Sequence, residues 1–291
     1  MTTDRQFDYA EAFSRNSGWV TAAEQASLRG KRIAIAGMGG VGGIHLLTLA
    51  RLGVGAFSIA DFDTFDIANF NRQAGATMST LGRPKTTVMT EMARDINPEL
   101  DIRAFADGVT AANVDTFLEG ADLYVDGLDF FAFDARDIVF SALVKQGIPA
   151  VIVAPLGMGA SLLNFMPGGM TFADYFDWEG CTPEDKALRF LIGLSPALLQ
   201  RTYLMDASAT DMQAERVPST PVGSELAAGV ATTEALKILL GRGKVIAAPR
   251  GVHYDAYRNK LVRTWRPGGN RNPIQRLALA FARRTLDKGR G

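Results

Sequence analysis

Two rhythms of apolar residues alternate along the first half of this chain. Short runs at 32–36, 56–60, 101–105, 123–125 and 150–154 read as strands. The run at 32–36, ending in Gly37, has the pattern of a buried parallel strand. Between the strands lie stretches with apolar residues three and four apart, at 44–52, 85–96, 114–118 and 132–145, which is helical spacing. Pro84 opens one of these helices and Asn97-Pro98 closes it. Strands alternating with helices predict right-handed crossovers. The fold class expected is therefore α/β: a Rossmann-like, doubly wound, mostly parallel sheet with helices on both faces.

The pattern loosens after Pro155. A strand is expected at 162–166, and 172–221 mixes acidic, aromatic and helical pieces. A long helix is expected at 225–240, closed by Gly241, followed by a late hairpin at 252–257 and 260–265. An amphipathic, Arg-rich helix at 273–286 ends the chain. Near the start, Thr21-Ala22-Ala23-Glu24 fits a capping box, with its helix running to about Leu28. The organisation expected is an N-terminal arm and helix (1–30), a main domain (31–245) and a C-terminal extension (246–291).

Composition narrows the function classes. Hydrophobic content is 47% and charged content 21%, as in globular proteins. The formal net charge is zero, so no electrostatic footprint for nucleic acid is expected. The polar stretch Met1 to Gln6 carries no apolar segment behind it, and no run reaches the roughly 18 apolar residues of a membrane span. A cytoplasmic protein without a membrane partner is the expectation. The single cysteine, Cys181, excludes an internal disulfide and a Cys-rich zinc site, so no zinc is expected.

The candidate chemistry gathers at predicted strand ends. Gly37-Met38-Gly39-Gly40-Val41-Gly42 follows the first strand and opens the first helix. Gly37, Gly39 and Gly42 fit the Gly-x-Gly-x-x-Gly spacing, and Gly40 adds a fourth glycine. Such glycines let backbone N–H groups approach a phosphate. Asp61 ends the second strand about 20 residues later, where a carboxylate accepts ribose hydroxyls. Its alternative is a cap or an ion pair. Asp63 either joins it or orients the next loop. Arg72 and Lys85 follow in a segment expected to cross the strand ends. Each is either an ordinary surface cation or part of the charge that a triphosphate requires and NAD does not. Asn69 and Gln73 either bond phosphate oxygens or shape the loop. Asp126 and Asp129 end the fourth strand, where a carboxylate can hold Mg²⁺ against phosphates. The alternative there is a turn at Asp126-Gly127. His45 and His253 are expected to pack or cap.

These motifs, in this order, resemble the ThiF/MoeB/HesA superfamily, the adenylating relatives of ubiquitin-activating enzymes. The resemblance spans about 15–240. It rests on the glycine loop, Asp61-Phe62-Asp63, Asn69 through Arg72-Gln73, Gly82-Arg83-Pro84-Lys85, Ile96-Asn97-Pro98, Asp126-Gly127-Leu128-Asp129 and the late helix with Glu234-Ala235-Leu236-Lys237. It implies that 31–245 is an adenylation domain with a crossover region at about 167–222, using ATP and Mg²⁺ to adenylate a carboxylate. The substrate class implied is a ubiquitin-like or sulfur-carrier protein, a peptide or a small metabolite. By position, Asp61 would hold ribose, and Asn69, Arg72 and Lys85 the phosphates. Asp129 would be the Mg²⁺-linked carboxylate. Arg15 would reach the neighbouring subunit's site, which makes a homodimer the expected assembly.

The chain departs from this pattern at Phe130, where the family often has Asn, and in having no pair of Cys-x-x-Cys motifs. Gly268-Gly269-Asn270 and the tail helix match no family element. Cys181 falls where relatives place the crossover loop. It is a candidate acyl acceptor or an inert buried thiol; no activating His or Cys flanks it, so the inert role is expected. Two rival classes remain in view: an NAD-dependent oxidoreductase and a non-catalytic nucleotide-binding subunit.

Overall fold

The computed structural model describes residues 6–206, 209–210 and 216–288. The polar start and part of the predicted crossover region therefore lie outside the described residues.

One eight-stranded sheet runs in the order β3-β2-β1-β4-β5-β6-β7-β8. Its strands are β1 (Arg32–Ala36), β2 (Ala56–Ala60), β3 (Asp101–Phe105), β4 (Leu123–Asp126), β5 (Ala150–Leu156), β6 (Gly159–Phe165), β7 (Arg250–Asp255) and β8 (Lys260–Trp265). Strands β1 to β5 pair in parallel, and β5 to β8 in antiparallel fashion. Strand β1 lies between β2 and β4, so the chain leaves it in opposite directions. That makes its C-terminal end the switch point of the sheet, where open α/β folds bind ligands.

Both faces of the parallel strands are covered. Ile33 and Ile35 of β1, Val125 of β4 and Val151 of β5 point into one core, beneath α3 (Gly42–Arg51), α4 (Lys85–Ile96) and α9 (Pro221–Leu239). Ala34, Ala36, Tyr124 and Ile152 point into the other, with α5 (Val114–Leu118) and α6 (Phe133–Gln146). A strand with partners on both faces gains nothing from a polar residue, hence its unbroken apolar run. The second core continues into an aromatic cluster. Phe165 packs there with Phe172 and Phe176 of α7 (Phe172–Phe176), Phe190 of α8 (Pro183–Leu194) and Trp178 between the two helices.

The predicted elements are all present, with shifted limits. The long helix starts at Pro221, because Thr220 caps it by accepting the Gly223 N–H at 3.0 Å. Strand β6 starts at Gly159, since it turns tightly back from β5. The capping box of α2 (Ala22–Arg29) forms as predicted. A short helix α1 (Tyr9–Ala12) precedes it. The hairpin β7–β8 extends the main sheet, and α10 (Pro273–Lys288) packs on α8. Among the described residues no helix is long and apolar enough to cross a membrane.

Candidate active site at the switch point

Interlocked backbone shapes the glycine loop. Gly37 has φ +88° and donates its N–H to Ala60 O at 2.7 Å. A Cβ on it would lie 2.1 Å from Gly127 O, and one on Gly42 would lie 1.8 Å from Gly37 O. No other residue type fits at either position. This contact brings the loop after β1 against the loop after β4. Helix α3 starts directly behind it. The N–H groups of Gly39, Gly40, Val41 and Gly42 donate to none of the described residues. Free donors at the positive end of a helix dipole form an anion site.

Asp61 ends β2 beside this loop. Its carboxylate accepts the Met38 N–H at 2.6 Å and the Asp63 N–H at 2.8 Å. Burial raises its pKa, against the opposing pull of the Met38 N–H and the Lys85 charge. The other predicted residues come from the loop between β2 and α4. The stem of Arg72 lies over Gly40, and a Cβ there would meet its Cγ at 3.4 Å. The amide of Gln73 lies over Gly39 in the same way at 3.7 Å. Gln73 is buried, and its Oε1 has no hydrogen-bond partner among the described residues. Lys85 is 6% exposed at the first turn of α4, and its ammonium meets the Asp63 carboxylate at 2.9 Å. Asn69 is committed to the loop's shape: its Oδ1 accepts the Asp66 N–H at 3.0 Å in a reciprocal cap.

The two carboxylates after β4 have opposite surroundings. Asp126 is buried, accepts the Tyr124 hydroxyl at 2.8 Å and pairs with Arg136 Nε at 3.0 Å. Burial, together with that carboxylate, pushes the Tyr124 pKa well up. Asp129 is exposed, and its carboxylate accepts only the Phe131 N–H, at 3.1 Å, among the described residues. Arg136, which sequence reasoning missed, sets this difference. Its guanidinium also donates to the carbonyls of Leu128 (2.7 Å), Asp129 (2.7 Å) and Phe130 (3.1 Å). It thereby fixes the whole turn that presents Asp129. Phe130 packs on Phe131, Phe133 and Phe190, so the aromatic cluster anchors this turn where an Asn would leave it polar.

The N-terminus of α9 closes the cleft. Asn71 Nδ2 donates to Ser219 O at 3.1 Å, and Thr220 Oγ1 donates to Gly157 O at 2.7 Å in the β5–β6 turn. The pair Thr220-Pro221, a cap residue followed by Pro at the first helical position, was the sequence signal for this element. Arg15 stands apart. It is exposed and lines a groove with Trp19, Thr48, Leu52, Thr233 and Arg242. Thr48 lies in the far half of α3 and Leu52 caps its end, on the order of 10 Å from the glycine loop by helix rise. Cys181 is partly buried against the aromatic cluster. His45 is fully buried, both ring nitrogens lack a partner among the described residues, and burial lowers its pKa to about 3. His253 is buried too, with Nδ1 3.1 Å from Ser195 Oγ.

Among the described residues no cluster of three or more His, Cys, Asp or Glu could hold a metal ion by itself. Asp129 supplies a single open carboxylate. That suits Mg²⁺, which takes one or two protein carboxylates and fills its shell with phosphate and water.

Comparison with known proteins places this geometry in context. The ThiF family model matches residues 13–276. Protein HesA of Nostoc sp. (strain PCC 7120) is 28% identical over 214 residues, covering 67% of this chain and 84% of HesA. The sulfur carrier protein ThiS adenylyltransferase of Bacillus subtilis is 31% identical over 182 residues, covering 60% of this chain and 52% of that protein. The tRNA threonylcarbamoyladenosine dehydratase of the same organism is 34% identical over 140 residues, 48% of this chain and 54% of that one. Among solved structures, PaaA superposes with a TM-score of 0.68 at 17% identity, covering 91% of this chain and 85% of PaaA. E. coli MccB with ATP gives 0.65, also at 17%, covering 94% of this chain and 74% of MccB. At that identity the likeness shows the fold.

Proposed function

The chain belongs to the ThiF family, and from that premise we propose that it is an ATP-dependent adenylyltransferase that activates a carboxylate. The observation that carries this reading is the placing of Arg72 and Gln73 over the glycine loop, with buried Lys85 beside Asp61. A dinucleotide needs little beyond the loop's N–H groups. A triphosphate brings further charge, which Arg72 and Lys85 would meet.

The ionised substrate carboxylate attacks the α-phosphorus of ATP. A new P–O bond forms, the bond to the β,γ-pyrophosphate breaks, and the products are an acyl-adenylate and pyrophosphate. No proton has to move, because a carboxylate is ionised at neutral pH. Charge grows on the oxygens in transit, where Arg72, Lys85 and the free N–H groups of 39–42 stabilise it through preorganised positions. Asp61 would orient the ribose. Mg²⁺ would be held by Asp129 and would neutralise phosphate charge. The substrate is proposed to be a carrier protein or peptide. In support, one relative is named for the carrier ThiS, and MccB has been solved with MccA. Calorimetry with Mg·ATP and with NAD tests the reading. Binding of Mg·ATP alone is expected, and tighter binding of NAD would overturn it.

The same reading makes the enzyme a homodimer with Arg15 acting in trans. The groove holding Arg15 shares Thr233 with a second, larger groove of about 780 Å³ along the outer face of α9, lined by Val222, Leu226 and Val230. A continuous apolar surface beside an arginine that does not reach its own loop suits a second copy of the chain. Arg15→Ala and Lys85→Ala homodimers should each be inactive. Mixed by refolding, they should regain part of the activity, since one heterodimer site is then intact. No rescue in verified heterodimers would refute the shared site.

A further inference from the structure

The zero net charge conceals a strong asymmetry. Residues 246–291 carry eleven of the 31 Lys and Arg but only two of the 31 Asp and Glu, a net +9 that the rest of the chain cancels. The same 46 residues hold six of the sixteen exposed large apolar side chains among the described residues. Cations and exposed apolar groups are thus concentrated in one segment of the chain. A solvated surface helix needs cations but not exposed Ile, Leu and Phe.

Helix α10 organises the two sets. Its inner face is fixed. Gln275 is 1% exposed and donates to Ile192 O of α8 at 3.0 Å. Asn270, equally buried, donates to Phe176 O at 2.8 Å and Arg189 O at 2.9 Å. Leu279 packs on Leu188 and Ile192. Ile274, Leu277 and Phe281 stand at the i, i+3, i+7 positions of another face, 60%, 72% and 59% exposed. Arg201 stacks over Phe281 at 5.7 Å on one flank. Arg276 and Arg284 lie on the other by helical spacing. None of the three forms an ion pair with a described residue. The result is an apolar stripe between cationic flanks on a rigidly docked helix.

A series of contacts links the stripe to the cleft. Arg201 belongs to the 3₁₀ segment Leu199–Tyr203. The Tyr203 hydroxyl accepts the Met158 N–H at 2.9 Å and donates to Asp255 at 2.7 Å. Met158 sits in the β5–β6 turn, and the neighbouring Gly157 carbonyl holds Thr220 at the mouth of the site.

We propose that the outer stripe of α10 is a docking surface for an acidic amphipathic peptide segment, belonging to the substrate whose carboxylate enters the cleft. This names the substrate class for the adenylation reading and rests on it. Three apolar anchors at helical spacing suit the matching face of a partner helix, and the flanking arginines select Asp and Glu around it. The apolar stripe and the contacts that link it to the cleft favour a peptide over a phosphate backbone or a lipid surface.

The test uses the full chain and a fluorescein-labelled helical peptide of roughly 20 residues, with Leu at i, i+3, i+7 and Glu flanks. Its counterpart has Lys flanks; phosphatidylglycerol vesicles and an RNA hairpin serve as the other probes. Anisotropy should show the acidic peptide bound, with affinity falling as salt rises. Binding should weaken about tenfold or more in Leu277→Asp and in Arg276→Glu/Arg284→Glu, the order expected for a hot-spot anchor. Equal binding of both peptides, binding untouched by Leu277→Asp, no binding of the acidic peptide, or tighter binding of vesicles or RNA would each overturn the proposal. Mg·ATP calorimetry on the same proteins separates the two readings. Wild type without ATP binding sinks the adenylation reading, whereas unaltered ATP binding in both variants shows that they fold and leaves anisotropy to judge the stripe.

Discussion

The parallel half of the sheet and the antiparallel half use polar groups in opposite ways. At the ends of β1, β2 and β4, donors and charges converge and stay open: four loop N–H groups, the Gln73 carbonyl oxygen and the Asp129 carboxylate. Around β6, β7 and α10 the buried polar side chains are spent on architecture. Asn164 donates to Glu234 and to Ile246 O, Asp255 accepts Tyr203 and the Arg258 N–H, and Asn270 and Gln275 tie the tail to α7 and α8. Burial alone therefore does not mark function here. What separates the halves is where the polar atoms unsatisfied among the described residues lie: at the strand ends they gather at one cleft, whereas Asn164 Oδ1 and His253 Nε2 are left singly inside the sheet.

The loop after β4 holds both behaviours within four residues, so it offers the largest contrast. Asp129→Ala should fold normally and lose substrate-dependent ATP–pyrophosphate exchange by about 10³-fold or more, the scale for removing an electrostatic partner of the transition state. Asp126→Ala should instead lose about 3–5 kcal/mol of stability, because Arg136 is left charged and buried. Exchange assays and urea melts on both variants check this. A folded, active Asp129→Ala would break the contrast.

The antiparallel half has its own test at the joint of the tail. Gly269 has φ +57°, and a Cβ there would lie 2.1 Å from Tyr175 O. Its neighbour Gly268 has φ +79°, but a Cβ there finds its nearest atom at 3.8 Å. Gly268→Ala should cost about 1–2 kcal/mol of left-handed strain. Gly269→Ala adds a clash with backbone and should cost several times as much, on the order of 3 kcal/mol or more, detaching α10. Hydrogen exchange localised to 273–284 would reveal the detachment, and ATP binding should survive it.

His45, in α3 behind the glycine loop, gives the smallest effect. Its ring is neutral when folded, with the pKa lowered to about 3 by burial. The unfolded chain protonates near the ordinary value of about 6.5. The unfolded state therefore binds the extra proton between these values, and stability is lost as pH falls through that window. At pH 5 the loss relative to pH 7 should be about 2 kcal/mol greater in wild type than in His45→Leu. Urea midpoints at the two pH values measure it, and parallel curves would show that His45 does not titrate this way.

The sequence by itself determined the alternation of strands and helices, the fold class and the glycine loop with its neighbours. Buried parallel strands must be apolar on both faces, so their runs stand out against the helices that cover them. Gly37 and Gly42 were legible because the backbone excludes every other residue. Asp126 and Asp129 were read as one pair, and only tertiary structure separated them. That decision belongs to Arg136, which the turn of α6 brings back to the loop and which no local pattern announces. The tail helix was legible as amphipathic, yet which of its faces is buried depends on Asn270 and Gln275 reaching carbonyls about 80 residues earlier in the chain. Such pairings are long-range, and a chain's local periodicity records that a face is apolar without recording what covers it.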